Sequence, residues 1–169
     1  MIDRLSHLFL RYFPQTLLLA GIGPLAVAYY AQLFQGAEPC ILCLYQRIPF
    51  AVVAGVAVIA MVRPSIAPWI GWVCAAVFFA GASVAFYHAG VEQHWWASAA
   101  SCGGGLPGQM SVADFQKLLT VKPAKACDSI DWTLFGVSMA TYNVAYSLAL
   151  AGLSLWGAAK LRVVNRKRG

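Results

Sequence analysis

Charged residues are scarce in this chain. They make up 11% of its 169 residues, while hydrophobic residues make up 60%. An ordinary soluble domain carries about 25% charged residues. So few charges cannot cover a water-facing surface, which excludes an ordinary soluble globular domain and predicts that lipid surrounds the chain. The net charge of +6 does not indicate a nucleic-acid-binding protein, because the positive residues flank the apolar runs or lie in the C-terminal tail.

Four stretches of the sequence are almost free of charge. About 20 apolar residues cross a bilayer, and a helix satisfies their backbone groups there. We therefore expect transmembrane helices at about 14–34, 44–62, 66–88 and 134–159. The first stretch is too long for the core of a signal peptide, so we expect it to be retained. The predicted fold class is an all-α integral membrane protein, a four-helix bundle forming one membrane domain over residues 1–169.

Lysine and arginine are absent from the link before the second span. The long loop, at about 89–133, carries three lysines against four acids, whereas Arg63 lies in the middle link and further basic residues flank both ends of the bundle. By the positive-inside rule, both termini and Arg63 are cytoplasmic and the two cysteine-bearing links face outward. In a bacterium the outer compartment is the periplasm, where disulfides form and persist.

The long loop has one predicted element of its own. Residues 111–120 carry a capping residue and an apolar face, a pattern that predicts a short helix. Such a helix would rest on the membrane surface or pack against the loop itself.

The first cysteine pair, Cys40 and Cys43, follows Pro39 at the start of the second span. Free backbone N–H groups and the helix dipole favour a thiolate at that position. Arg47 lies four residues after Cys43 on the same helical face and adds a positive charge, and an ionisable residue inside an apolar span is usually functional. The alternatives are a structural disulfide or half of a metal site for the cysteines, and snorkelling to the interface for Arg47.

The second pair, Cys102 and Cys127, lies in the long loop. Three glycines follow Cys102 and loosen the backbone there. A disulfide on a loose, exposed loop is open to thiolate attack, although a structural staple is the alternative. We expect no metal site, because only the first pair has zinc-ligand spacing. Cys74, inside the third span, is interpreted as a small hydrophobic residue.

Three segments of the sequence resemble the bacterial disulfide bond formation protein B (DsbB) family. They are Pro39-Cys-Ile-Leu-Cys-Leu-Tyr-Gln-Arg47, Tyr87-His-Ala-Gly-Val-Glu92, and the stretch from Cys127 to Asn143. With Cys102 and the four spans, the likeness covers nearly the whole chain, although the glycine run does not match. The resemblance implies an inner-membrane, quinone-dependent oxidoreductase that reoxidises a periplasmic thioredoxin-fold dithiol oxidase of the DsbA type and so sustains disulfide formation.

The resemblance also implies a role for each site residue. Cys102 forms a mixed disulfide with the partner, and Cys127 passes the electrons on to Cys40. Cys43, released as a thiolate, faces the quinone, which is a ubiquinone or a menaquinone. Arg47 supports both the thiolate and the quinone.

Two further residues are candidates for the same site. His88, at the outer end of the third span, could hydrogen-bond a quinone carbonyl or handle its proton, or simply contact water at the interface. Met139, in the fourth span, could line a pocket near the outer surface, and Asn143 is expected to hydrogen-bond across the bundle. Two alternatives stay open for the whole chain: an enzyme similar to vitamin K epoxide reductase, and a non-enzymatic membrane protein with structural disulfides.

Overall fold

Four long helices form the body of the protein. The computed structural model describes residues 8–98, 125–130 and 133–166. Its helices are α1 (Phe13–Phe34), α2 (Ile41–Val62), α3 (Ala67–Glu92) and α4 (Met139–Arg166). A 3-10 turn, Pro64–Ile66, joins α2 to α3, and a two-stranded hairpin precedes α4, with β1 at Thr133–Leu134 and β2 at Val137–Ser138. Cys102 and the short helix predicted at 111–120 lie outside the described residues.

All four helices are long and apolar enough to cross a membrane, which confirms the predicted all-α membrane fold. Their outward faces carry large apolar side chains: Leu33, Phe34 and Val62 are 72%, 74% and 75% exposed. Water would make such a surface costly, whereas lipid does not. The chain is a multi-pass membrane protein.

The fourth helix begins later than the sequence predicts, at Met139 instead of near Leu134. Phe135 and Gly136 have φ angles of 51° and 77°, and two consecutive left-handed residues form the tight turn of a hairpin. Leu134 therefore pairs with Val137 across the turn. The apolar side chains of this hairpin made it look like the start of a span.

The third helix ends later than predicted, because it continues beyond His88 to Glu92. Residues 88–92 are buried, so packing against the rest of the bundle stabilises this last turn despite its two polar side chains. The extension places Glu92 one turn above His88 on the same helical face.

The helices pack in chain order, with α1 against α2, α2 against α3, and α3 most extensively against α4. Small residues allow the close approaches: a Cβ at Gly21 of α1 would lie 2.7 Å from the Phe50 carbonyl oxygen of α2. A buried apolar cluster that includes Phe13, Phe50 and Phe78 fills the bundle interior. Since α2, α3 and α4 alternate in direction, the start of α2, the end of α3 and the start of α4 meet at one end.

Candidate functional site

The dithiol Cys40–Cys43 opens α2. Cys40 is the N-cap residue, with extended backbone angles, and its Sγ accepts a hydrogen bond from the Cys43 backbone N–H at 3.2 Å. The two sulfur atoms are 2.9 Å apart, and both cysteines are free thiols. Cys40 is buried and Cys43 is half-buried. The structure therefore places a reduced pair at the positive end of a helix dipole.

The environment of Cys40 favours its thiolate form. The hydrogen bond from the Cys43 thiol lowers the pKa of Cys40 well below its usual range, and contacts with His88 and the Cys43 backbone act in the same direction. Burial raises the pKa of Cys40 because it penalises the charged form, but the hydrogen bonds outweigh this effect. In the reduced pair these contacts favour the negative charge on Cys40, with the Cys43 thiol as the donor. The thiolate that the resemblance implies at Cys43 stays a prediction.

Cys127 lies beside this dithiol. It is disulfide-bonded, is only 1% exposed, and shares a buried cluster with Cys40, Leu42 and Val91, against which Cys43 packs. The structure thus brings one cysteine of the long loop to the CxxC pair, although it follows Cys43 by 84 positions in the sequence. Cys102, the other predicted loop cysteine, lies outside the described residues.

His88, on α3, is buried against the same sulfur. Its Nε2 lies 3.5 Å from Cys40 Sγ, and the ring also forms a hydrogen bond with the Cys127 backbone. The sequence located His88 at the outer end of the third span and suggested a hydrogen bond to a quinone carbonyl. In the structure its nearest reactive atom is the Cys40 sulfur.

Glu92 is a site residue that the sequence analysis missed. Its Oε1 lies 3.8 Å from His88 Nε2, and both side chains are buried. Its Oε2 has no hydrogen-bond partner among the described residues. The spacing of four residues from His88 was the available signal, but it becomes meaningful only once α3 is known to extend to Glu92.

A chain of buried polar side chains continues from the other side of His88. His88 Nδ1 lies 2.6 Å from Gln46 Nε2, and Gln46 Oε1 accepts a hydrogen bond from Asn143 Nδ2 at 2.5 Å. Ser147 Oγ donates to Asn143 Oδ1 at 3.0 Å. The network joins α2, α3 and α4. The expected hydrogen bond of Asn143 across the bundle is present. Gln46 was not predicted as part of the site, because the sequence does not indicate which helix a single glutamine in an apolar span faces.

The Arg47 side chain is held by α1. Its guanidinium donates to Gln32 Oε1 at 2.8 Å and lies 4.7 Å from the centre of the Tyr29 ring, so both contacts are with α1. The sequence predicted that its charge supports the thiolate through the shared helical face with Cys43. The side chain instead leans back toward the helix start and is fixed by α1 at the same end of the bundle.

Met139 is the first residue of α4 and is 37% exposed. It follows the hairpin turn at the dithiol end of the bundle. Its predicted role in lining a pocket stays a prediction.

Three donor atoms, from Cys40, Cys43 and His88, lie within 4.8 Å of one another. Donor atoms this close together could in principle bind a metal ion. Two thiolates on a tetrahedral zinc ion, with Zn–S bonds of about 2.3 Å, stand about 3.8 Å apart, whereas these sulfur atoms are 2.9 Å apart. The spacing fits a thiol hydrogen-bonded to a thiolate better than a pair of zinc ligands.

Comparisons with known proteins agree with this chemistry. The model of the family described as "Disulfide bond formation protein DsbB" matches residues 11–157. A protein of Acinetobacter baumannii named "Disulfide bond formation protein B" is 30% identical, with 90% of this chain and 91% of the relative covered. Proteins of the same name from Xylella fastidiosa and an Azoarcus species are 33% and 31% identical, over 79% and 78% of this chain and 80% and 82% of the relatives. No solved structure gives a significant match.

The family match covers most of the chain and includes both CxxC cysteines, His88 and Cys127. A buried dithiol, an adjacent disulfide-bonded cysteine and a membrane-spanning bundle are the features that a thiol oxidoreductase of this kind requires. The chain therefore belongs to the DsbB family of disulfide bond formation proteins.

Proposed function

We propose that this protein reoxidises a periplasmic thioredoxin-fold dithiol oxidase of the DsbA type and passes the electrons through its two cysteine pairs to a membrane quinone. It would sit in the bacterial inner membrane, with both termini cytoplasmic and both cysteine pairs periplasmic. The surrounding lipid and the quinone are its other partners, and nucleic acid is not.

One observation carries the proposal: disulfide-bonded Cys127 packs against the free dithiol in a single buried cluster. Thiol–disulfide exchange requires a thiolate to meet a disulfide sulfur directly. In the proposed sequence the partner's two thiols reduce the loop disulfide, with Cys102 forming the mixed disulfide. The loop thiols then reduce a Cys40–Cys43 disulfide, so that each exchange breaks one S–S bond and forms another.

The CxxC pair must then lose two electrons and two protons to become a disulfide again. A DsbA-type partner has a potential of about −120 mV, so the final acceptor must be more oxidising than that. A membrane quinone supplies this two-electron, two-proton chemistry when it is bound.

The surroundings of Cys43 fit an apolar ligand that arrives from the bilayer. Cys43 is half-buried, and its neighbours Leu44, Tyr45 and Ile48 are exposed on the outer face of α2. Arg47, held by α1, is the nearby polar group that could orient a carbonyl oxygen. Cys43 and Arg47 would therefore hold the quinone, and His88 and Met139 are further predicted contacts.

The test is turnover of the purified protein with a soluble quinone and a reduced thioredoxin-fold partner. Cys43→Ser should abolish quinone reduction, because the CxxC pair can no longer form its disulfide. Cys74→Ala is the matched control, since Cys74 is a buried cysteine of α3 that the proposal does not use, and it should keep turnover close to wild type.

Normal turnover by Cys43→Ser would contradict the relay. A second experiment examines the loop pair with a reduced partner that keeps only its attacking cysteine. Its thiolate should open the loop disulfide, form a mixed disulfide with Cys102 and release Cys127 as a thiol, and the adduct should persist because the partner lacks the second thiol that would release it. That adduct is visible by non-reducing gel electrophoresis, and its absence in the presence of reduced partner would contradict the proposed entry point.

A further inference from the structure

The hydrogen-bonded side chains that lead from Ser147 to His88 all donate in the same order, and the redox roles of the cysteines do not explain this order. Gln46 is 7% exposed, His88 is 4% exposed and Ser147 is 1% exposed, so each hydrogen bond lies inside the bundle. Burying polar groups between membrane helices is costly unless every group is paired. A network of three helices that ends on one imidazole nitrogen therefore calls for a functional reason.

The direction begins at Ser147 on α4. Its hydroxyl donates to Asn143 Oδ1, which leaves the Asn143 amide nitrogen to donate to Gln46 Oε1. Because the Gln46 oxygen is thus occupied as an acceptor, its amide nitrogen is the atom that faces His88 Nδ1. An amide N–H₂ is only a donor, so His88 Nδ1 must act as the acceptor.

The opposite side of the ring independently requires the complementary arrangement. His88 Nε2 faces Cys40 Sγ at 3.5 Å and Glu92 Oε1 at 3.8 Å. A thiolate and a carboxylate are both acceptors, so Nε2 must carry the proton. Both sides of the imidazole therefore specify the same neutral tautomer.

We propose that Gln46, oriented by Asn143, is a positioning residue that holds His88 in the tautomer with its proton on Nε2, facing the Cys40 sulfur. This inference rests on the proposed function, because it matters only if Cys40 becomes a thiolate during the relay. The Nε2–H then stabilises that negative charge without a proton having to move. Gln46 touches neither sulfur nor quinone in this role and acts through His88.

The first experiment reads the tautomer directly. The full-length protein is labelled with ¹⁵N-histidine, reduced, and studied by NMR in detergent micelles, and the His88 signals are assigned by their loss in His88→Asn. We expect the proton on Nε2 and an unprotonated Nδ1. A wild-type protein with its proton on Nδ1 alone would overturn the proposal whether or not any variant folds.

Two substitutions should place a proton on His88 Nδ1 through different contacts. In Gln46→Glu, the carboxylate accepts only, so His88 Nδ1 must become protonated. In Asn143→Asp, the new carboxylate should draw the Gln46 amide nitrogen toward itself, which turns the Gln46 oxygen to Nδ1 with the same result. Gln35→Glu, an exposed site beyond the end of α1, adds the same charge and should leave the His88 spectrum unchanged.

An unprotonated Nδ1 in folded Gln46→Glu or Asn143→Asp would overturn the positioning role. Turnover with quinone and reduced partner is measured on the same samples, and we expect both variants to be slowed about tenfold, as for loss of a hydrogen bond to a charged group. If the spectra change as expected but wild type does not reduce quinone, the proposed function fails while the tautomer assignment stands. If wild type turns over but the spectra do not change, only the positioning role of Gln46 is lost.

Discussion

The two ends of the bundle differ in what fills the space between the helices. At one end, which we call the Phe13 end, the Phe13 ring is fully buried in a notch formed by Gly71 of α3 and Gly157 of α4. At the other, the dithiol end, the interior holds Cys40, His88 and their polar partners. Helices in lipid associate through close packing, because lipid is as apolar as the core. Close packing of apolar side chains holds the helices together at the Phe13 end, whereas the dithiol end contains buried polar groups.

The difference separates stability from chemistry within one small protein. A Cβ at Gly71 would lie 2.7 Å from the Ala158 Cβ, so even one added methyl group there would force its neighbours to shift. Polar groups at the dithiol end contribute less to net stability, since each hydrogen bond there mainly offsets the cost of burying its donor and acceptor. Substitutions at the first end should therefore change folding, and substitutions at the second should change turnover in a protein that still folds.

The largest expected effect comes from filling the notch. In Gly157→Val the new side chain would overlap the Phe13 ring, and overpacking of this severity costs about 3 kcal/mol or more. We expect the variant to melt at a much lower temperature in detergent, as followed by circular dichroism. Gly152→Val is the control on the same helix, because a Cβ there meets nothing within 4 Å. Equal melting temperatures for the two variants would show that the Phe13 notch does not dominate stability.

The second prediction reverses the pattern at the dithiol end. His88→Asn keeps a polar group near the Nδ1 position but removes the Nε2–H that faces Cys40, so turnover should fall about 100-fold, with the melting temperature close to wild type. His88→Gln can place an amide N–H near the Nε2 position and should recover part of the rate. Equal rates for the two variants would show that the N–H toward Cys40 is unimportant.

The sequence predicted the parts of this comparison that depend on local pattern. Hydropathy alone located the four spans, and Pro39 before Cys40 was enough to place the dithiol at a helix start. The hairpin before Met139 was missed because Leu134 and Phe135 are as apolar as a true span. The left-handed backbone at Phe135 and Gly136 forms a turn there, although the side chains are apolar enough for a transmembrane helix.

Local sequence patterns do not predict which side chains meet between helices. Gln46 and Asn143 are 97 positions apart, and their meeting depends on how α2 and α4 rotate about their axes. The same limit explains Arg47: helical spacing puts it on the face of Cys43, but its long side chain contacts Gln32 and Tyr29 of α1. The proposed order of the cysteines comes from the family resemblance, because geometry at the level of one helix does not provide it.

The third prediction concerns the charge at Cys40. Its pKa is lowered first by the Cys43 hydrogen bond and then by His88, so Cys43→Ala should raise the midpoint of thiolate formation by about one unit or more, and His88→Asn should raise it less. The midpoint is measured from thiolate ultraviolet absorbance of the reduced protein, with Cys40→Ser as the blank. A larger shift in His88→Asn than in Cys43→Ala would reverse the order of the two causes.

The lowered pKa also links stability to pH. The folded-state pKa of Cys40 lies below the value of about 8.5 for an unfolded thiol. Its contribution to folding is therefore fully present above the unfolded value and is lost as the pH falls through the folded one. The reduced protein should lose free energy of unfolding across that window on acidification, and Cys40→Ser should not show this component.

The smallest expected effect tests whether Arg47 belongs to the dithiol end at all. Arg47→Lys keeps the charge but loses the planar group that pairs with Gln32 and lies over Tyr29. Losing about 1 kcal/mol of such contacts should raise the KM for quinone about fivefold with little change in kcat. Arg63→Lys, at the opposite end of α2, is the matched control and should leave the KM unchanged. An unaltered KM in Arg47→Lys would mean that Arg47 only carries its charge to the membrane surface, and that the functional part of this end consists of the cysteines and the network around His88.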